Sequence, residues 1–286
     1  METDQLRRKI YSKVDELPTL PVVVPKLLSL TDNEKSSASD ITEVISRDPA
    51  LTSKILKVAN SAYYGFPQEI TDVKRAVALL GFNIVRSLAL SIGVMRSMPS
   101  GKKSPYFSEE DLWLHSLAVA TLMSELGDKF GKGDDYEHSF VIGLLHDIGK
   151  IVLDQFFSDL FHKTLEETHD LGKQAAHVAE RKIIGFDHGE IGAMLLERWK
   201  FPGVISNAIA VHHQIEIPES ANAYDVAMLR IADFLALELE SEEEGKFEIK
   251  EADFKVLGMK EKDLEELREY LRSAEDEIKA FYNAMS

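Results

Sequence analysis

The sequence predicts an all-α protein, a helical bundle in two parts. Apolar residues recur at helical spacings of three and four positions through most of the 286-residue chain. Residues that start and stop helices, Asp or Ser before and Gly after, flank several of these periodic segments. No segment shows sustained alternation of apolar and polar residues between hairpin turns, so sheet is at most a minor element.

The N-terminal third carries clear helix signals. Asp48 is a predicted N-cap, and Pro49 follows at the first helical position, where a missing N–H is tolerated. The apolar residues of this helix share one face, namely Leu51, Ile55, Val58 and Ala59. Residues 72–80 repeat the pattern up to Gly81, a natural helix end, and residues 83–98 form another apolar helix.

A boundary between two subdomains is predicted next. Residues 99–107 (PSGKKSPYF) are rich in helix breakers and polar groups, which places the two parts at 1–105 and 106–286. Ser108, with Asp111 three residues later, resembles a capping box that opens the following helix. Further helices are expected over 137–149, 152–168, 171–183, 188–199, 203–213, 222–239 and 261–283.

The composition excludes several classes of function. The chain is 44% hydrophobic and 29% charged, as soluble globular proteins are. It has no cysteine, which excludes disulfides, thiolate metal sites and cysteine nucleophiles. The net charge of −16 argues against broad nucleic-acid binding, since that depends on Lys and Arg at phosphates. No secretory signal or membrane-spanning stretch is recognisable, so we expect a cytoplasmic location without membrane contact.

Residues 143–150 (GLLHDIGK) place an ionisable pair, His146 and Asp147, inside an apolar stretch. Such side chains are costly to bury unless they are paired, hydrogen-bonded or coordinated to a metal. Other histidines and acids recur within or at the ends of apolar helices elsewhere in the second half. These are Asp111, His115, His188, His212, His213 and Asp233.

Imidazole and carboxylate groups together suit Mn, Fe or Zn. A metal with an open position lowers the pKa of bound water, and two metals about 3.5–4 Å apart stabilise both oxygens of a phosphoryl displacement. Asp147 is the candidate for a bridging carboxylate, and Lys150, four residues after His146, is placed to attract a phosphate.

Each residue also has a simpler interpretation. Asp111 is equally well explained as the capping partner of Ser108, His115 as a half-buried core residue, and His188 as a helix N-terminal residue. His212 and His213 suit the negative end of a helix dipole, and on a helix their rings point about 100° apart. Asp233 could pair with Arg230. The remaining histidines, expected at the surface, are His138, His162, His169 and His177.

Three ordered segments resemble the HDOD family, the HD-related output domains of bacterial signalling proteins. They are Leu17-Pro-Thr-Leu-Pro21, Asp48-Pro-Ala-Leu-Thr-Ser-Lys-Ile-Leu-Lys-Val-Ala-Asn-Ser61 and Ala76-Val-Ala-Leu-Leu-Gly81. With residues 143–150 and 191–199, the likeness covers roughly residues 10–215. The resemblance implies an N-terminal HDOD subdomain, an HD-like phosphohydrolase subdomain and the role of a bacterial cytoplasmic regulator.

HDOD domains generally resemble HD phosphohydrolases that have lost most metal ligands, whereas this sequence retains them. The HD superfamily has its metal ligands in the order His, His-Asp and a distal Asp. In this sequence His115, His146–Asp147 and Asp233 match that order. Resemblance to the binuclear HD-GYP enzymes implies an additional acidic ligand at Asp111 and histidine ligands at His188, His212 and His213. It also implies a match between Lys150 and the lysine of their HDIGK stretch. After His213 the sequence departs from that type, because Gln-Ile-Glu-Ile-Pro replaces the Gly-Tyr-Pro loop.

Two functions follow from this resemblance. The first is a signalling regulator with an HD-type metal site, acting through protein partners or by sensing a nucleotide or phosphate ligand. The second is a metal-dependent phosphohydrolase or phosphodiesterase acting on a nucleotide or cyclic dinucleotide, with Asp147 and Lys150 as its catalytic residues. The expected cofactor is one or two divalent ions, Fe or Mn, with Zn or Ni as alternatives.

Overall fold

A computed structural model describes residues 9, 10, 12, 13, 16, 19–31, 36–98, 107–131, 138–168, 176–241 and 249–285. These residues form helices and connecting turns and contain no strand, so the predicted all-α class is confirmed. Within the same ranges, no helix combines the length and the apolar character needed to cross a bilayer.

The chain packs as two compact units. One unit comprises residues 18–98 and 273–286, and the other comprises residues 1–17 and 99–272. The predicted division into 1–105 and 106–286 remains a prediction about domains. The packing adds that the final residues of the chain group with the helices of residues 18–98.

The unit of residues 18–98 contains short helices whose ends are set by local capping. They are α1 (Val23–Thr31), α2 (Ala38–Ser46), α3 (Pro49–Ala59), α4 (Val73–Leu80) and α5 (Phe82–Met95). The Asp48 carboxylate accepts a hydrogen bond from the Leu51 amide at 3.0 Å, as predicted for an N-cap. The apolar face predicted for α3 is fully buried. Gly81 ends α4 with a φ of 90°, a conformation that favours glycine.

The second unit contains the helices that carry the polar residues. They are α6 (Glu109–Phe130), α7 (Ser139–Leu145), α8 (Ile148–Thr168), α9 (Ala176–Ile183), α10 (His188–Arg198), α11 (Gly203–Val211), α12 (Ala223–Ser241), α13 (Glu251–Leu257) and α14 (Glu261–Met285). Ser108 caps α6 as predicted, because its hydroxyl accepts a hydrogen bond from the Asp111 amide at 3.2 Å. The part of α14 after residue 272 belongs to the other unit.

One helix prediction was wrong in this unit, and one helix was missed. The single helix expected over 137–149 ends at Leu145, and α8 begins at Ile148, so His146 and Asp147 lie in the turn between two helices. The short helix α13 was not predicted, because seven residues are too few to show helical periodicity. The first difference matters for function, since a turn can direct two adjacent side chains that a helix would separate.

Replacing Asp48 with Ala is expected to destabilise the protein by about 1 kcal/mol, because the α3 cap is lost. Asp48→Asn is the matched control, since Asn also caps helices and loses only the partly exposed ion pair with Arg96. Urea denaturation followed by circular dichroism measures both.

Burial opposes the charge on Asp48, but the Leu51 amide and the Arg96 guanidinium outweigh burial and lower its pKa. A lowered pKa means that this stabilisation is complete above pH about 4 and is lost as the pH falls below that. Equal stability of the Ala and Asn variants at neutral pH would contradict the capping role.

Candidate metal centre

The turn between α7 and α8 buries an imidazole and a carboxylate side by side. His146 is 0% exposed and Asp147 is 2% exposed. The Nδ1 of His146 lies 2.7 Å from the Gly143 carbonyl oxygen. Because a carbonyl only accepts, Nδ1 must carry the proton, and in the neutral ring Nε2 then presents a lone pair. That Nε2 is buried, makes no hydrogen bond within the described structure, and lies 3.4 Å from the Asp147 carboxylate.

A first cluster forms around this turn from His115, His146 and Asp147, whose possible ligand atoms lie within 4.8 Å of one another. Asp233 reaches the same place from α12. Its Oδ1 lies 3.1 Å from the Nε2 of His115 and 3.8 Å from the Nε2 of His146. Helices α6 and α12 and the α7–α8 turn therefore bring two imidazoles and two carboxylates together.

A second cluster consists of His188, His212 and His213, whose nitrogens also lie within 4.8 Å of one another. His188 is the first residue of α10, and the other two follow the last residue of α11. The Nε2 atoms of His188 and His213 are 2.9 Å apart. The Nδ1 of His212 donates to the Ile209 carbonyl at 2.6 Å, and its buried Nε2 makes no hydrogen bond within the described structure.

Asp147 lies between the two clusters. Its Oδ1 is 3.0 Å from the Nε2 of His188, in the second cluster. Its Oδ2 is 3.8 Å from the Nε2 of His115 and accepts a bond from the Lys150 ammonium at 2.6 Å. Each carboxylate oxygen therefore faces a different cluster, which is the arrangement that a carboxylate bridging two ions requires.

Two further carboxylates orient the imidazoles, and sequence reasoning missed both. Glu240 accepts a bond from the Nδ1 of His115 at 2.7 Å. Glu180 accepts from the backbone amide and the Nδ1 of His188, at 2.8 and 2.7 Å. Such outer carboxylates fix the ring orientation and leave Nε2 for a metal. Glu240 could have been suspected from its position seven residues after Asp233 on one helix face, whereas Glu180 gives no signal at sequence level.

Glycines allow the backbones that carry these residues to approach closely. A Cβ on Gly149 would lie 1.9 Å from the His188 carbonyl oxygen. A Cβ on Gly143 would lie 2.6 Å from the Cα of Ala120, and one on Gly189 would lie 2.7 Å from the Ile209 carbonyl oxygen. These contacts leave no room for a side chain, so the glycines set the spacing of the helices that hold both clusters.

Burial and neighbouring charges shift the pKa values of the histidines in opposite directions. Burial disfavours the charged form of His115, but Glu240 and Asp233 outweigh it and raise its pKa to about 10. Burial likewise opposes charge on His188, but Glu180 and Asp147 raise its pKa to about 10. For His212, burial and then the positive charge of His188 lower the pKa to about 3. A cation that binds His115 and His188 must therefore displace protons.

The acids of the cluster remain ionised. Burial alone would raise the pKa of Asp147, but Lys150 and His188 hold it well below its usual range. Hydrogen bonding to His115 lowers the pKa of Asp233 in the same way, against the effect of burial. Asp147 in turn raises the pKa of Lys150 despite burial, so this side chain stays cationic beside the carboxylate.

The structure does not bring Asp111 to either cluster. Its side chain is exposed in the first turn of α6, where its backbone amide binds the Ser108 hydroxyl. The Nδ1 of His115, one turn later, contacts Glu240 instead. The Ser108 cap therefore involves the backbone of Asp111 and not its carboxylate, and the ligand role of Asp111 stays a prediction.

Other simple interpretations give way to the observed contacts. Arg230 does not neutralise Asp233 as the sequence suggested; it binds the Asp253 carboxylate at 3.0 Å. His177 was expected at the surface, but it is half-buried, with its ring stacked on His213 at 4.3 Å and 7°. His138 is half-buried, and His162 contacts Asp154 at 3.0 Å. His169 lies outside the described residues.

Known proteins resemble this chain over most of its length. The sequence model of the HDOD domain matches residues 17–215. A solved structure of a candidate phosphohydrolase from Shewanella amazonensis SB2B is 27% identical, has a TM-score of 0.78, and aligns over 97% of this chain and 98% of its own. An HDOD domain protein with unknown function from Geobacter sulfurreducens is 26% identical, with a TM-score of 0.78 over 99% and 97%.

A curated relative is longer than this chain. An uncharacterized protein from Treponema pallidum (strain Nichols) is 27% identical over 231 residues, which is 81% of this chain but 44% of the relative. The chain therefore spans less than half the length of that relative.

Replacing Gly149 with Ala is expected to destabilise the protein by about 1–3 kcal/mol, because the new methyl overlaps the His188 carbonyl oxygen. Gly203→Ala is the control, since the nearest atom to its Cβ is the Asn207 amide nitrogen at 3.7 Å. Thermal unfolding of both variants tests this. A Gly149→Ala protein as stable as Gly203→Ala would show that the helices need no such close approach.

Proposed function

This chain belongs to the HDOD family, and we propose that it is a bacterial signal-transduction regulator whose helical bundle holds an HD-type divalent-metal site. The proposal includes a cytoplasmic location and action through a protein partner or a nucleotide or phosphate ligand. It rests on the family and on the chemistry of the two clusters.

The observation that carries the metal site is a pair of buried nitrogens. The Nε2 atoms of His146 and His212 make no hydrogen bond within the described structure, while each Nδ1 donates to a backbone carbonyl. Buried polar atoms nearly always have partners. In the neutral rings both nitrogens present lone pairs, and a cation bound beside each one would satisfy it. The residues present therefore fit a divalent metal.

The proposed ligands fall into two sets that share Asp147. His115, His146 and Asp233 would hold one ion with Asp147 Oδ2, and the second cluster would hold another with Asp147 Oδ1. These imidazole and carboxylate donors suit Fe or Mn, with Zn or Ni as alternatives. Glu240 and Glu180 would keep His115 and His188 oriented toward the ions.

The regulatory role is supported by the family and by the thermodynamics of metal binding. The HDOD match includes the helices of residues 18–98, a separate compact unit that contains none of the proposed ligands. We propose that this unit presents the partner surface. An ion that binds only the native state adds stability that increases with the logarithm of its concentration relative to its Kd, so a metal site is useful to a regulator without catalysis.

Lys150 favours an alternative function, a metal-dependent phosphohydrolase or phosphodiesterase acting on a nucleotide or cyclic dinucleotide. Divalent ions at such a site would activate water and stabilise charge on phosphoryl oxygens. In this alternative Asp147 would hold the ions, and Lys150, which is 21% exposed beside it, would neutralise a phosphate. The similar Shewanella protein, a candidate phosphohydrolase, also favours it.

Protein purified without chelator is expected to contain at least one equivalent of divalent metal by elemental analysis. Asp147→Asn should lose most of it, because this carboxylate faces both clusters. Asp154→Asn is the matched control, since Asp154 is equally buried in the same unit but pairs with His162. Less than one equivalent in the wild-type protein, or equal loss in both variants, would refute the site.

The regulator and the enzyme are separated by a turnover assay. With Mn or Fe added, the metal-loaded protein is expected to hydrolyse neither bis-p-nitrophenyl phosphate nor nucleotides and cyclic dinucleotides. Turnover that disappears in Asp147→Asn but persists in Asp154→Asn would overturn the regulator in favour of the phosphohydrolase.

A further inference from the structure

We infer that Arg230 is a positioning residue that holds His212 and His213 toward the second metal ion and connects them to α13. The inference rests on the proposed metal site and adds a residue outside the ligand set. It follows from where the guanidinium donates its hydrogen bonds.

The side chain of Arg230 is only 9% exposed and spans the end of α11. Its Nε donates to the His212 carbonyl at 2.8 Å. Its Nη2 donates to the carbonyls of Val211, at 3.4 Å, and Gln214. Its Nη1 donates to the Asp253 carboxylate at 3.0 Å. One planar cation therefore binds carbonyls on both sides of His213.

The last carbonyls of a helix lack partners within the helix and need others. Arg230 supplies a partner to the His212 carbonyl and a second one to the Val211 carbonyl, which also accepts from the Gln214 amide at 2.9 Å. Its rigid fork of donors fixes the direction of each carbonyl. Within a helix, adjacent side chains point about 100° apart. His212 and His213 lie in the turn that Arg230 holds, and their ring centroids are 3.8 Å apart. This fixed turn allows both imidazoles to approach His188.

The first cluster does not share this support. His115 is oriented by Glu240, and His146 by the Gly143 carbonyl. Loss of the guanidinium should therefore weaken binding of the second ion and leave binding of the first ion unchanged. A general loss of stability would weaken the binding of both ions together. Weaker binding of the second ion alone therefore distinguishes a positioning role from a merely structural one.

Asp253 extends the connection to α13. Its carboxylate is 2% exposed and binds Arg230. From the residue before α13, the Lys250 ammonium donates to the same Gln214 carbonyl at 3.0 Å. The packing of α13 is therefore coupled to the turn that carries His212 and His213, and a change at α13 is expected to alter the affinity of the second ion.

The test is a titration of metal-stripped protein with Mn²⁺, with bound ion followed by electron paramagnetic resonance. Wild-type protein should bind two ions and show a spin-coupled pair. Arg230→Met should bind the second ion at least about 10-fold more weakly and show an isolated ion, and Asp253→Asn should shift in the same direction. Arg268→Met is the control, because Arg268 forms a partly buried ion pair with Glu238 in the same unit.

Arg230→Lys keeps the charge but not the fork of donors, and it should also weaken the binding of the second ion only. It tests the same claim if circular dichroism shows that the Met variant does not fold. Unchanged binding in the Arg230 variants, or equal weakening of both ions, overturns the inference. A wild-type protein that binds one ion overturns the inference alone, whereas one that binds none overturns the proposed function as well.

Discussion

The buried carboxylate of Asp147 is the group on which the polar interior of this protein depends. It is 2% exposed, and it lies between imidazoles from α6, the α7–α8 turn and α10. An isolated carboxylate at such a depth would be costly, and ion pairs with Lys150 and its histidine neighbours keep it charged. Two oxygens that face two clusters give this carboxylate a geometry that a structural ion pair alone does not require.

The helices place each ligand at an end or on a buried face. The proposed ligands His146, Asp147, His188, His212 and His213 lie at helix termini, whereas His115 and Asp233 project from within long helices. Close approach at Gly143, Gly149 and Gly189 brings these termini together. Outer carboxylates then orient two of the imidazoles, and backbone carbonyls orient two others. The clusters are therefore held by the scaffold before any ion is considered.

Local chemistry explains what the sequence could predict. Asp48, Ser108 and Gly81 set helix ends through contacts within a few residues, so their roles were visible without a structure. The grouping of His115, His146–Asp147 and Asp233 followed from an ordered motif. The roles of Glu180 and Arg230 depend on contacts between different helices, which periodicity does not encode. The spacing of Asp111 from His115 suited a ligand, but in the structure the Asp111 side chain is exposed and its backbone amide joins the Ser108 cap.

The central claim is that a cation belongs beside Asp147, and anomalous diffraction from crystals grown without chelator tests it most directly. The account predicts an anomalous peak among the Nε2 atoms of His115 and His146 and the carboxylates of Asp147 and Asp233. A second peak is expected on the side of His188. A map with no anomalous signal near Asp147, with the Nε2 atoms of His146 and His212 bound only to water, would contradict the account.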